Sequence, residues 1–145
     1  MRFNTRIHYG IRAMIEIALA SKEKGIYQKD ISKNQEISNK YLDQIIAALK
    51  AKGLIRNVKG KKSGYILNHE PSSITIYDIY KAFEPEILLL DCLTDGFECI
   101  RREKCALHVF CENLNNQLIE FIRSSSLQDI MNTGFDITLD NYKTS

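Results

Sequence analysis

Between Gln28 and Leu67 the hydrophobic period changes from helical to alternating, and that order constrains the fold more than anything else in the 145 residues. A short helical pattern over Gln28–Gln35 carries Ile31 as its inward residue. Glu36-Ile37 then makes a tight turn into Ser38, a residue type that caps helix N-termini by accepting from free backbone amides. From Asn39 the residues Tyr41, Leu42, Ile45, Ile46 and Leu49 recur at helical spacing up to Gly53, which supplies the stop. Leu54–Val58 and Tyr65–Leu67 read as two strands around the tip Lys59-Gly60-Lys61-Lys62-Ser63-Gly64. Short helix, tight turn, longer helix and basic hairpin, in this order, is the plan of a winged helix-turn-helix.

The flanks extend the plan. Tyr9, Ala13, Ile17 and Ala20 give an apolar helical face over about 6–21, closed by Gly25. Ser72-Ser73 precede a helix from Thr75 to Phe83 that Pro85 stops. A long helix is expected from about Lys104 to Arg123, and Ser126 caps a last short turn through Met131. The expected fold is mainly α with a small β-hairpin wing and a long C-terminal dimerisation helix. Residues 1–70 form the DNA-binding domain. Residues 71–131 form a connecting helix, a cysteine segment and the dimerisation helix, and 132–145 a flexible tail.

Charge separates the two parts. Residues 1–65 hold 14 lysines and arginines against 5 acids, whereas 66–145 hold 6 against 13, so a net charge of +2 conceals a strongly basic N-terminal half. Such a half is suited to a polyanion. Arg2, Arg6, Arg12 and Glu16 interrupt the first twenty residues and exclude a secretory leader. No apolar run approaches the ~18 residues of a membrane span. A cytoplasmic location is expected. The chain has no C-x-x-C motif and no glycine-rich phosphate loop, so neither an enzyme nor a small-molecule substrate is expected.

The exposed start of the second helix of the pair presents Ser38, Asn39, Lys40, Asp43 and Gln44. In a major groove, asparagine and glutamine pair with adenine, serine reads either base, and aspartate accepts from cytosine. The hairpin residues Lys59, Lys61 and Lys62 are placed to lie on phosphates or enter the minor groove. Double-stranded DNA is the expected partner.

All four cysteines fall within twenty residues, as Cys92-x6-Cys99-x5-Cys105-x2-His108-x2-Cys111. A disulfide framework needs an oxidising compartment, and structural zinc usually shows C-x2-C knuckles, absent here. Widely spaced thiolates with one nitrogen donor suit an iron–sulfur cluster. A bare thiol switch remains open, because Arg101, Arg102 and Lys104 favour a thiolate nearby. Cys111 lies about 120° round the helix from Cys105 and falls on the stripe Leu107, Leu114, Leu118 and Phe121. There it reads as a buried small hydrophobe. That stripe is too apolar for a lone exposed helix and predicts pairing with a second copy, a homodimer.

These residues together resemble the Rrf-two (Rrf2) family of bacterial transcription regulators over roughly residues 1–131. The resemblance is carried by Met1-Arg2 with Tyr9 and Ala13-Met14, Asp30-Ile31-Ser32, and Ile37-Ser38 with Tyr41-Leu42. It continues through Gly53-Leu54, Val58-Lys59-Gly60, Gly64-Tyr65 and the cysteine segment. It implies that Cys92, Cys99 and Cys105 hold an iron–sulfur cluster, 2Fe–2S rather than 4Fe–4S, with His108 as fourth ligand. In a nitric-oxide-responsive branch of the family the fourth ligand comes from the partner's first helix, a position filled here by His8. Lys40, Asp43, Gln44 and Lys59 match positions where the family touches DNA. The implied function is sequence-specific regulation of transcription in response to redox state, iron or nitric oxide, with a cluster-free thiol or metal sensor as the alternative. The tip Lys59-Gly60-Lys61-Lys62-Ser63-Gly64-Tyr65 departs from the family's usual Arg-Gly-Pro-Gly-Gly-Gly-Tyr. Lysine reads a narrow minor groove less well than arginine, which favours phosphate contacts at this hairpin.

Overall fold

The computed structural model describes residues 3–59 and 63–133. Its order is α1 (Thr5–Leu19), α2 (Gln28–Gln35), α3 (Asn39–Ala51), β1 (Ile55–Asn57), β2 (Tyr65–Leu67), α4 (Ile76–Phe83) and α5 (Ala106–Ser124), followed by a short helical stretch over 127–133. The mainly helical fold with one antiparallel hairpin expected from the sequence is present.

α1 starts where Asn4 Oδ1 accepts from the Ile7 amide at 3.0 Å, and it buries Ile7, Gly10, Ala13, Met14 and Ile17 at three- and four-residue spacing. Asn4 also donates through Nδ2 to Glu84 Oε1 at 2.6 Å, tying this cap to the end of α4. α2 and α3 are joined by Glu36, which takes the left-handed conformation at φ 54° without being glycine. Its neighbour Ile37 is buried, which holds the turn against the core. Ser38 Oγ accepts from the Tyr41 amide at 3.2 Å and opens α3 as the capping chemistry predicts. α3 buries Leu42, Ile45, Ile46 and Leu49 and leaves its other side to solvent.

The hairpin pairs Ile55 with Leu67, Arg56 with Ile66 and Asn57 with Tyr65. It is widened by a bridge to the segment after α1: Ile26 N–H donates to Tyr65 O at 3.1 Å, and Tyr65 N–H to Ile26 O at 2.8 Å. The approach is close enough to exclude side chains. A Cβ on Gly64 would lie 2.5 Å from the Lys24 carbonyl oxygen, and one on Gly25 2.6 Å from that of Tyr65.

α4 begins one turn later than the serines suggest. Pro71–Ser73 form a single 3-10 turn, and Thr75 is the cap, in a reciprocal pair with Asp78 (3.1 and 2.9 Å). Ser126 and Asp129 repeat that arrangement at 3.0 and 2.9 Å and open the last helical stretch. This stretch runs to 133, past the expected start of the tail at Asn132. The expected flexible tail beyond Thr133 lies outside the described residues. One hydrophobic cluster spans α1 to α4 and takes in Ile122 and Leu127, so the end of α5 is cemented to the helix-turn-helix core.

Candidate nucleic-acid interface and cysteine segment

The first half of α3 stands clear of the core because its inward residues fall at 42, 45, 46 and 49. Ser38, Asn39, Lys40, Asp43 and Gln44 are all exposed there. The side chains are not equally free. The Ser38 oxygen is committed to its capping bond. Asp43 Oδ1 accepts from Gln28 Nε2 at 2.5 Å, and the same amide nitrogen reaches the Asn39 carbonyl oxygen at 3.3 Å. Gln28 Oε1 in turn accepts from the Tyr65 hydroxyl at 3.5 Å. One side chain therefore joins the starts of α2 and α3 to β2. Burial first, and the Asp43 carboxylate second, raise the Tyr65 hydroxyl above its ordinary pKa of 10.0. The Lys50 ammonium adds a cation–π contact to the same ring, 5.0 Å from its centroid.

Sequence reasoning missed Gln28. The signal available was its place as first residue of α2, opposite the acid at 43 on the neighbouring helix.

Lys59 is exposed at the edge of the hairpin tip, and its backbone amide donates to Ser63 Oγ at 3.0 Å. Val58 N–H to Gly64 O (2.9 Å) and Asn57 Nδ2 to Ser63 O (3.1 Å) close the root of the tip. Lys61 and Lys62 lie outside the described residues. Lys40 and Lys59 thus lie on the two sequence elements, α3 and the hairpin, that Tyr65 and Gln28 hold together.

The cysteine segment is built differently. Its start is fixed: Ile87 is buried, Tyr80 donates through its hydroxyl to Glu86 O at 3.3 Å, and the Lys81 ammonium donates to Pro85 O. From Leu90 to Cys105 the only regular structure is two 3-10 turns, Asp91–Leu93 and Arg102–Lys104. Cys99 is exposed, Cys92, Cys105 and Cys111 are half-buried, and all four are free thiols. Cys105 stands immediately before α5, which starts at Ala106, two residues later than expected. Among the described residues no three histidine, cysteine, aspartate or glutamate side chains converge as a metal-ligand group. Cys92, Cys99, Cys105 and His108 supply the donor chemistry of a cluster site, but the single chain does not bring them together. His8 is exposed on α1, its ring stacked on that of Tyr9 at 5.8 Å.

α5 inverts the expected pattern. Its buried residues are His108 (9% exposed), Asn115 (5%) and Ile122 (5%), whereas Leu107, Val109, Phe110, Leu114 and Phe121 are exposed. The stripe read from the sequence is divided: Leu107, Leu114 and Phe121 face out, and Cys111 and Leu118 lie at its half-buried edge. Cys111 is therefore less enclosed than expected. The reason is that α5 meets the core only near its C-terminal end, so the rest of its apolar surface finds no cover within the described residues.

Among the described residues no helix is long and apolar enough to cross a membrane. The Rrf2 family model, described as an iron-dependent transcriptional regulator, matches residues 3–133. The HTH-type transcriptional regulator IscR of Escherichia coli O1:K1 is 30% identical over 132 residues, 91% of this chain and 81% of that protein. Among solved structures, IscR of T. potens superposes with a TM-score of 0.70 at 28% identity, covering 92% of this chain and 88% of the other. CymR, the global cysteine regulator of B. subtilis, gives 0.68 at 28% identity over 90% and 95%.

Proposed function

The chain belongs to the Rrf2 family of transcriptional regulators, and from that premise we propose that it is a homodimeric, sequence-specific DNA-binding regulator that senses through an iron–sulfur cluster. Residues 1–70 read DNA, and 71–131 carry the sensor and the dimer contact. The observation that carries this reading is the exposed polar start of α3 coupled to a lysine-bearing hairpin, on a chain that also bears three accessible thiols on an irregular loop. Asn39, Lys40, Asp43 and Gln44 read bases with Ser38 at the helix cap, and Lys59, Lys61 and Lys62 neutralise phosphates. The exposed face of α5 from Leu107 to Phe121 supports a dimer, because a contiguous apolar stripe of that size favours burial against a second copy. A dimer presents two copies of α3, which suits half-sites about one DNA turn apart.

Cys92, Cys99 and Cys105 would hold the cluster, 2Fe–2S in type, with His108 as fourth ligand or His8 of the partner subunit as the alternative. When bound, such a group supplies a centre that takes up and gives back one electron and is lost to oxidants or nitric oxide. Since these donors do not converge in the single chain, loading must draw the 90–104 loop together. The chain's own contribution is to fix the loop's two ends, at Ile87 and at the start of α5, and to keep the thiols accessible. The redox, iron or nitric-oxide signal would then act in the cytoplasm on a loop joined directly to the dimer helix.

The unconverged free thiols, with the similarity to CymR, favour a second reading: a cluster-free thiol or metal sensor on the same scaffold. Anaerobic purification followed by absorption spectroscopy and iron and sulfide analysis separates the two. A coloured protein with iron and acid-labile sulfide, bleached by Cys99→Ala, is expected. Colourless, iron-free protein under those conditions refutes the cluster reading and leaves the thiol sensor.

A further inference from the structure

The buried stripe of α5 is made of an imidazole, an amide and an alkyl side chain: His108, Asn115 and Ile122. They are seven residues apart, about two turns each, so they lie on one line along the helix. Ile122 joins the hydrophobic cluster of the helix-turn-helix core. Asn115 does something else. Its Oδ1 accepts from the backbone amide of Leu89 at 3.0 Å, the hydrogen bond that fastens the start of the cysteine loop to α5. Leu93 and Asp95, from beyond the 3-10 turn that carries Cys92, share with Asn115 and Ile119 a cavity of about 260 Å³, so the loop folds over this bond. Neither Asn115 nor Leu89 is a candidate ligand.

We infer that Asn115 is a positioning residue for the proposed cluster site: it pins the loop three residues before Cys92 to the helix that carries His108. The inference rests on the cluster reading given above. Three residues extend at most about 10 Å, which bounds how far Cys92 can stray from the pin. The rise along α5 from Asn115 back to His108 is also about 10 Å. With the pin closed, Cys92 stays within reach of the imidazole while Leu90 to Lys104 rearranges. With it open, the fixed point retreats to the buried Ile87, and the tether lengthens by two residues. On a face that otherwise serves packing, leucine at 115 would fill the space as well but hold nothing.

The test compares Asn115→Leu, which removes the acceptor at similar volume, with Asn115→Asp, which keeps it. Amide hydrogen exchange is measured on the apo full-length chain over 86–93. The decay of visible absorption in air is measured on anaerobically prepared holo-protein. Asn115→Leu is expected to speed both by about tenfold, the scale of one partly buried hydrogen bond, with exchange in α1 to α3 unchanged. Asn115→Asp should restore slow exchange and cluster lifetime towards wild type. Unchanged exchange in Asn115→Leu overturns the pin. Faster exchange with an unaltered cluster lifetime overturns its role at the site. A wild-type protein without iron and sulfide fails the cluster reading and with it that role, whereas the exchange result still reports on the pin itself.

Discussion

Replacing Gly64 by alanine tests whether the hairpin is held to the body of the protein by backbone proximity. The new Cβ would stand 2.5 Å from the Lys24 carbonyl oxygen, 2.7 Å from the Gly25 carbonyl carbon and 2.8 Å from the Ile26 nitrogen. All three are main-chain atoms, so no side-chain rotation relieves the clash. Reaching ordinary separation at 3.4 Å requires a retreat of roughly 0.9 Å. The two bonds of the Ile26–Tyr65 bridge, at 3.1 and 2.8 Å, would then stretch past useful hydrogen-bonding distance. At about 0.5–1.5 kcal/mol net for each, the cost is about 1–3 kcal/mol. For a chain of this size that corresponds to a fall in Tm of roughly 3–12 °C. Thermal denaturation followed by circular dichroism reads the stability, and fluorescence anisotropy with an operator duplex reads the DNA affinity. Affinity should fall because Lys59 moves with the hairpin, yet its dependence on salt should stay the same because no cation is removed. A Gly64→Ala protein as stable as wild type, with unaltered affinity, would refute the argument.

Three further outcomes follow from the same geometry. Glu36→Gly should raise stability by about 1 kcal/mol, because it relieves a left-handed residue in the turn between α2 and α3; a lower Tm would show that the turn carries no strain. The Tyr65 hydroxyl is raised by burial and by Asp43, so its contribution is complete below pH 10 and is lost as pH climbs through the elevated value. Alkaline denaturation should therefore come at higher pH in Tyr65→Phe, and coincident curves would exclude this group. Removing Lys59, Lys61 and Lys62 together should weaken binding to all sequences and lower the salt slope by about 0.9 for each phosphate no longer neutralised. An unchanged slope would take the hairpin out of the DNA interface.

The helix-turn-helix was legible because its signals are local. Ile31 in a polar segment, the Ser38 cap and the 42–45–46–49 spacing each act within a few residues, and α2 and α3 begin where those signals place them. The Gln28–Asp43–Tyr65 junction was not legible, since it joins residues 15 and 37 apart in sequence and has no period. α5 was read with its apolar stripe correct and its orientation incomplete. An apolar stripe ordinarily marks the side turned to the chain's own core, but this core reaches α5 only near Ile119 and Ile122. The remaining inward side holds a polar loop and so takes His108 and Asn115. The cysteines themselves are plain in sequence, but their mutual distances are not, because the loop that bears them has neither helical nor strand period.

The junction at Gln28 also bears on how an operator would be decoded. A single amide touches the acid at 43 on the base-reading helix and the tyrosine at the root of the hairpin. Any adjustment of α3 to a different base pair is therefore felt by the element that seats the lysines on the backbone. Base positions under α3 and flanking positions under the hairpin are then not independent columns of a recognition matrix. Their energies should couple, as those of neighbouring residues in one hydrogen-bonded network do, and a site ranked by summing single-base scores would be misordered wherever both regions vary at once.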